Sequence, residues 1–315
     1  MTGEKTQSGG MRGDRMPDDR MRSGQMMGGR SAAGSIPLCE AGPDAAGAVP
    51  AREAGPDAAV VFVGHGTRSE AGCRMFLETV RLAREMGTGW PPVVETAYLE
   101  LREPGVPAVL ASLHARGVRR VDLVPVLLFA AGHHKMDLPA QVRSVTQGHP
   151  DLVVRIGPVL GADPRLAALA ARRAQEAAGS LRPEDALLVV GRGNRDACAR
   201  RTFLDVAEAI RRRCGVARES FATGVLAGDG DPLEEAAVRL LQRRPQRVVV
   251  VPYLLFDGYL TRTLPERLRS VDAAVPWVVA GPLGADPVVA RVLAERAGVA
   301  MGYGGRPIPS GRSAV

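Results

Sequence analysis

The chain contains a copy of itself. At an offset of 127 residues, Gly64 matches Gly191, Gly66 matches Gly193 and Arg68 matches Arg195. Phe76-Leu77 returns as Phe203-Leu204, and "VPVLLF" at 124–129 returns as "VPYLLF" at 251–256. "GPVLGADP" at 157–164 comes back as "GPLGADP" at 281–287. Agreement spread over this much chain marks a duplication, so the sequence must fold as two similar units.

The repeated pattern sets the fold class. Residues 58–63, 93–99, 118–129 and 152–159 are short, β-branched and bounded by turn residues, as buried strands are. Helical spacing lies between them: 69–86 aligns Phe76, Leu77, Val80 and Leu82-Ala83, and a second helix runs from near Pro107 to a cap at Gly117. Strand and helix in alternation predict an α/β fold: two duplicated domains, each a parallel sheet of about four strands flanked by helices. The expected boundaries are 58–182 for the first domain and 183–300 for the second. Residues 1–57 are rich in Gly, Pro, Ser and Ala, and nearly repeat "EAGPDAAG" as "EAGPDAA". They are expected to be a disordered tail, and 301–315 a flexible one. Six of the ten methionines fall in the first tail, each a candidate start, so it is assigned no function.

Composition narrows the partners. The net charge is +7, almost all of the excess being arginine, with Lys135 the only lysine beyond the first tail. An arginine- and alanine-rich chain also follows from a GC-rich genome; the functional reading is affinity for a polyanion. Aromatics make up 4%, too few for the stacking platforms of single-strand nucleic-acid binders. A small polycarboxylate or polyphosphate fits better. No apolar run is long enough to span a membrane, and the N-terminus lacks a signal-peptide core, so a cytoplasmic location is expected. Cys39, Cys73, Cys198 and Cys214 form no CxxC pair and are expected to be free thiols.

In parallel sheets ligands bind beyond the carboxyl ends of the strands. After the first strand comes "GHGTR", with His65, Thr67 and Arg68; after the second "YLELREP", with Glu100 and Glu103; after the third "AAGHHKMDLP", with His133, His134, Lys135 and Asp137. Each has an ordinary reading: a histidine that packs, a solvated glutamate, a solvated lysine. Asp137, before Leu138-Pro139, is expected to cap a helix. His114 and His149 are taken as structural or surface residues. Yet histidine, glutamate and histidine at one sheet edge make a site for a divalent first-row metal. In the second copy His65 becomes Arg192 and Glu100 becomes Ala227. With Pro139 matched to Pro265, His133 becomes Tyr259 and Asp137 becomes Thr263. The whole set is lost while the framework stays, so the chemistry is expected in the first copy.

"FVGHGTR", "YLELREPGV" and "VPVLLFAAGHHKMDLP" together resemble the class II tetrapyrrole chelatases, specifically the sirohydrochlorin cobalto- and ferrochelatases of the CbiX/SirB type. The resemblance covers both halves. It implies insertion of cobalt(II) or iron(II) into sirohydrochlorin, for cobalamin or sirohaem, without ATP and without a permanently bound cofactor, the metal being a substrate. It places the metal-binding and catalytic roles on His65, Glu100 and His133, and a cavity between the halves. His134 departs from the small residue usual there, which leaves open which histidine points inward. Sirohydrochlorin carries eight carboxylates, which suits a basic cleft. Arg68, Arg192 and Arg195, with Thr67 and His134, are the candidates to bind it. The resemblance also implies a long form with two fused domains, and its internal pseudo-dimer leaves open a monomer. Neither nucleic acid nor membrane is expected as a partner. A histidine phosphatase, a regulatory binding module, and a metal or tetrapyrrole carrier without turnover are the alternatives.

Overall fold

The computed structural model describes residues 55–302. The first half runs β1 (Ala58–Gly64), α1 (Glu70–Met86), β2 (Val93–Tyr98), α2 (Val106–Ala115) and β3 (Arg120–Val126). A π-helical turn (His133–Asp137), α3 (Leu138–Thr146), β4 (Val153–Ile156) and α4 (Pro164–Ala178) complete it. The second half repeats the order: β5 (Ala186–Gly191), α5 (Ala197–Arg213), β6 (Phe221–Val225) and α6 (Leu233–Leu241). Then follow β7 (Val248–Pro252), α7 (Tyr259–Val271), β8 (Trp277–Val279) and α8 (Pro287–Ala300). The expected tails 1–57 and 301–315 lie mostly outside the described residues, as does Cys39. Asp57, inside the first of these, is fixed: its carboxylate meets Arg120 at 2.8 Å, and its carbonyl accepts from the Arg119 and Arg120 amides.

Each half builds one four-stranded parallel sheet, in the orders β2-β1-β3-β4 and β6-β5-β7-β8. β1 and β5 sit centrally and are buried along their whole length, which is why both are unbroken apolar runs. Helix starts are capped as the sequence directs, with Ser69 accepting from Gly72 N–H, and Asp163, Asp196 and Asp286 accepting likewise for α4, α5 and α8. Two expectations need adjustment. β3 ends at Val126, short of Phe129, because the carbonyls of Leu127 and Leu128 accept from Leu160 and Gly161 N–H in the loop after β4, at 2.9 Å each. Leu77, expected in the core, is 46% exposed.

The boundary at 182/183 divides the sequence but not the packing. The last helix of each half crosses to the other: α8 lies on α1 and β3, while α4 lies on α5 and β7. One continuous core therefore contains Phe62 and Val124 of the first sheet, Leu187 and Val249 of the second, and both crossing helices. Each crossing helix also lends an arginine to the opposite loop. Arg296 of α8 donates to the Leu160 carbonyl at 3.1 Å, and Arg173 of α4 to the Leu283 carbonyl at 3.3 Å. Among the described residues no helix is long and apolar enough to cross a membrane.

A shared core predicts shared unfolding. Trp90 reports on the first half and Trp277 on the second, so single-tryptophan variants separate the two signals. Both are expected to show the same urea midpoint. Leu293→Ala in α8, fully buried against the first half, should lower both midpoints together, costing about 2–5 kcal/mol. Separate midpoints would mean independent halves.

Candidate metal centre

In each sheet the chain runs outward from the central strand to one side, then returns to the other. The first and third strands are therefore neighbours whose following loops diverge, the place where an open α/β sheet makes a crevice. The loop after β1 carries His65 and the loop after β3 carries His133. Their Nε2 atoms lie 3.1 Å apart, with the rings edge to face at 84°. Glu100, just past β2, brings its Oε1 to 3.2 Å from His65 Nε2. One ligand atom from each of the three residues falls within 4.8 Å of the others.

Backbone geometry holds this corner. The amides of Leu99 and Glu100 donate to the carbonyls of Gly64 and His65, at 2.9 and 3.1 Å, tying the second loop to the first. Gly66 makes that approach possible. It has φ +95°, and a Cβ there would lie 1.8 Å from the Glu100 carbonyl oxygen. Leu101 follows in the left-handed region at φ +63°, where the second half has Gly228 at φ +69°. A non-glycine residue there costs about 1–2 kcal/mol, strain stored beside a candidate ligand.

His65 Nδ1 lies 3.1 Å from the Gly66 carbonyl, which can only accept, so that nitrogen carries the proton and Nε2 faces the corner as a lone pair. Burial pushes the His65 pKa below the ordinary histidine value, opposed by that hydrogen bond and assisted by the neighbouring His133. The ring is thus neutral at pH 7, the form that binds a metal.

The corner opens on a cavity of about 1030 Å³ between the two halves. His65, Thr67 and His133 line it from the first half, Arg192 and Arg195 from the second. Arg192 and Arg195 are exposed, and neither has an acidic partner among the described residues. Arg68 points elsewhere: it is exposed and outside the cavity lining. His134 is a correction too, for it turns from the cavity and puts Nε2 3.2 Å from the Gly157 carbonyl, leaving His133 as the inward histidine. Asp137 is not the expected cap. It makes no cap hydrogen bond, and its Oδ2 lies 2.8 Å from His133 Nδ1. Glu103 stays local, accepting from the Gly105 amide. His114 and His149 stack on each other, 4.1 Å apart and away from the cavity, as expected of structural residues.

Other features escaped the sequence reading. Phe76 meets Phe256 at 6.3 Å and Phe129 meets Phe203 at 6.5 Å, two T-shaped pairs that repeat each other across the halves and line the cavity. The repeats of Phe76 as Phe203 and of Phe129 as Phe256 are evidence of duplication, but nothing in the sequence shows that Phe76 faces the copy of Phe129, and Phe129 the copy of Phe76. Two basic residues, one from each half, also reach across to a helix cap of the other half. Lys135 reaches Asp196, the cap of α5, at 2.6 Å. Arg262 reaches Ser69, the cap of α1, at 2.9 Å.

The CbiX family model matches residues 59–177 and again 186–300. The chain belongs to the CbiX family. A sirohydrochlorin ferrochelatase from Priestia megaterium is 28% identical over 242 residues, covering 76% of this chain and 88% of the relative. A sirohydrochlorin cobaltochelatase from the same organism is 28% identical over 246 residues, covering 76% of this chain and 78% of the relative. Among solved structures, SirB from Bacillus subtilis with Fe3+ matches at a TM-score of 0.65 and 23% identity, over 76% of this chain and 93% of that one. That likeness is one of fold.

The glycine geometry gives a paired test. Gly193 repeats Gly66, with φ +94° and a Cβ position 1.6 Å from the Ala227 carbonyl oxygen. Gly66→Ala and Gly193→Ala should both lower Tm, each costing more than about 1 kcal/mol. Only Gly66→Ala should weaken cobalt(II) binding, roughly tenfold or more, as measured by titration calorimetry. Equal losses of binding would detach Glu100 from the metal.

Proposed function

We propose that this protein inserts a divalent metal ion, cobalt(II) or iron(II), into sirohydrochlorin, with the metal held as substrate by His65, Glu100 and His133. One observation carries the reading: three neutral-nitrogen and carboxylate donors meet at the wall of a cavity large enough for a macrocycle. Membership of the CbiX family and the activities for which its relatives are named support the choice of tetrapyrrole.

The residues suggest how the work is divided. Phe76, Phe129, Phe203 and Phe256 offer apolar edges and faces to a flat ring. Arg192 and Arg195, which have no acidic partner among the described residues, offer guanidinium groups to its carboxylates, and Thr67 offers a hydroxyl from the first half. Arg68, outside the lining, would contribute only long-range attraction. Two histidines and one carboxylate leave coordination positions open, so ring nitrogens can replace water around the ion while the protein still holds it. The two ring N–H protons must leave as the metal enters. Glu100, half-exposed to water, is placed to take one of them, and His65 Nε2 can take the other once it has released the metal to the ring. No step needs ATP or a resident cofactor. We further propose that the protein acts in the cytoplasm as a single chain, the second half serving in place of a partner subunit.

Turnover decides between this reading and a carrier that binds without inserting. Purified protein is mixed anaerobically with sirohydrochlorin and either cobalt(II) or iron(II), and absorbance is followed. Multiple turnovers are expected, abolished in His65→Ala and His133→Ala. Arg192→Ala should keep kcat and raise KM roughly tenfold, the worth of one charge-assisted contact. Stoichiometric binding at the protein-free rate of metal insertion would leave a carrier.

A further inference from the structure

We propose that Asp137 is a positioning residue for His133, fixing the imidazole so that its Nε2 presents a lone pair to the metal. The proposal rests on the reading of His65, Glu100 and His133 as metal ligands. Its observations concern Asp137 itself.

Asp137 Oδ2 lies 2.8 Å from His133 Nδ1. A carboxylate accepts, so Nδ1 carries the proton, and in the neutral ring Nε2 is left as the acceptor. That Nε2 faces His65 Nε2 at 3.1 Å, and His65 is held in the same tautomer by the Gly66 carbonyl. With both rings neutral, two nitrogen lone pairs and the Glu100 carboxylate converge with no donor among them. Such a corner repels itself until a cation occupies it. Without Asp137, His133 is free to take the other tautomer, place Nε2–H between the two rings, and satisfy the corner with an ordinary hydrogen bond. The carboxylate keeps that option closed.

The usual duties of an aspartate at a helix start are unfilled here. Asp137 has helical backbone angles and makes no cap hydrogen bond. The nearby Lys135 is engaged with Asp196 instead. Among the described residues the Asp137 side chain has His133 as its one partner. The pair also sits in a turn of its own kind: Leu138 N–H reaches the His133 carbonyl, an i to i+5 bond, in a π-helical turn.

The second half supplies the comparison. There the histidine position is Tyr259, 79% exposed, and the aspartate position is Thr263. Thr263 Oγ1 donates to the Tyr259 carbonyl within α7, and the π-helical turn is replaced by an ordinary helix start. Histidine, carboxylate and turn vanish together, which ties Asp137 to His133 and not to helix capping.

The test uses the full chain and cobalt(II) alone. Asp137→Ala should weaken cobalt(II) binding about 10–100-fold and alter the visible spectrum of the bound ion, with Tm kept. Asp137→Asn, which keeps an acceptor but not the charge, should fall between. In metal-free protein, nitrogen NMR of the His133 ring should show Nδ1–H in the wild type and mixed tautomers in Asp137→Ala. Unchanged affinity and an unchanged tautomer would overturn the proposal. If Asp137→Ala does not fold, Asp137→Asn with its NMR spectrum decides. His133→Ala separates the two levels. If it loses cobalt while Asp137→Ala does not, the positioning role fails alone; if it binds cobalt like the wild type, the ligand reading fails and takes this proposal with it.

Discussion

Two strands adjacent in space but far apart in sequence set the geometry of this protein. β1 and β3 hydrogen-bond along their length, with Gly64 opposite Val126 at their ends. Beyond that pair the chain must diverge, one loop toward α1 and the other toward α3. Whatever those loops carry first is brought face to face. In the first half they carry His65 and His133; in the second, the corresponding pair β5 and β7 leads to Arg192 and Tyr259. The same backbone therefore presents a cation-seeking corner in one copy and a cationic one in the other. The two corners share a single cavity, so a ligand with a metal-accepting centre and a negatively charged rim has a complementary surface at each end.

The crossing helices turn this arrangement into one body. α8 covers the first sheet and α4 the second, so neither half can be removed without uncovering the core of the other. That dependence explains why a second copy with Arg192, Ala227 and Tyr259 at the corresponding positions is retained as a fold. Its structural duties include the core, the aromatic pairs Phe76–Phe256 and Phe129–Phe203, and the contact of Asp196 with Lys135, two residues from His133.

Much of the fold was legible from the sequence because its signals are local or repeated. Buried parallel strands must be apolar throughout, and the copy at 127 residues doubled every signal. That His65, Glu100 and His133 meet followed from their places just past the ends of three neighbouring parallel strands. What could not be read depends on contacts between distant segments. The exchange of α4 and α8 leaves no trace in either helix, since an apolar face looks the same whichever sheet it covers. Asp137 before Leu138-Pro139 has the local pattern of a cap, and its i,i+4 approach to His133 shows only once 133–137 are known to be helical. His133 and His134 are adjacent and chemically alike, and the Gly157 carbonyl that draws His134 away is supplied by a loop beyond β4. Arg68 shares its place in the motif with Arg195, yet only Arg195 lines the cavity.

The central claim is that the first half holds the metal and the second does not. Crystals grown with cobalt(II) and measured on both sides of its absorption edge test this directly. The account predicts one strong anomalous peak bonded to His65 Nε2, His133 Nε2 and a Glu100 oxygen, at about 2.0–2.2 Å from each, with no density beside Arg192. A peak at the second corner, or a first corner that stays empty while cobalt binds elsewhere, would contradict it.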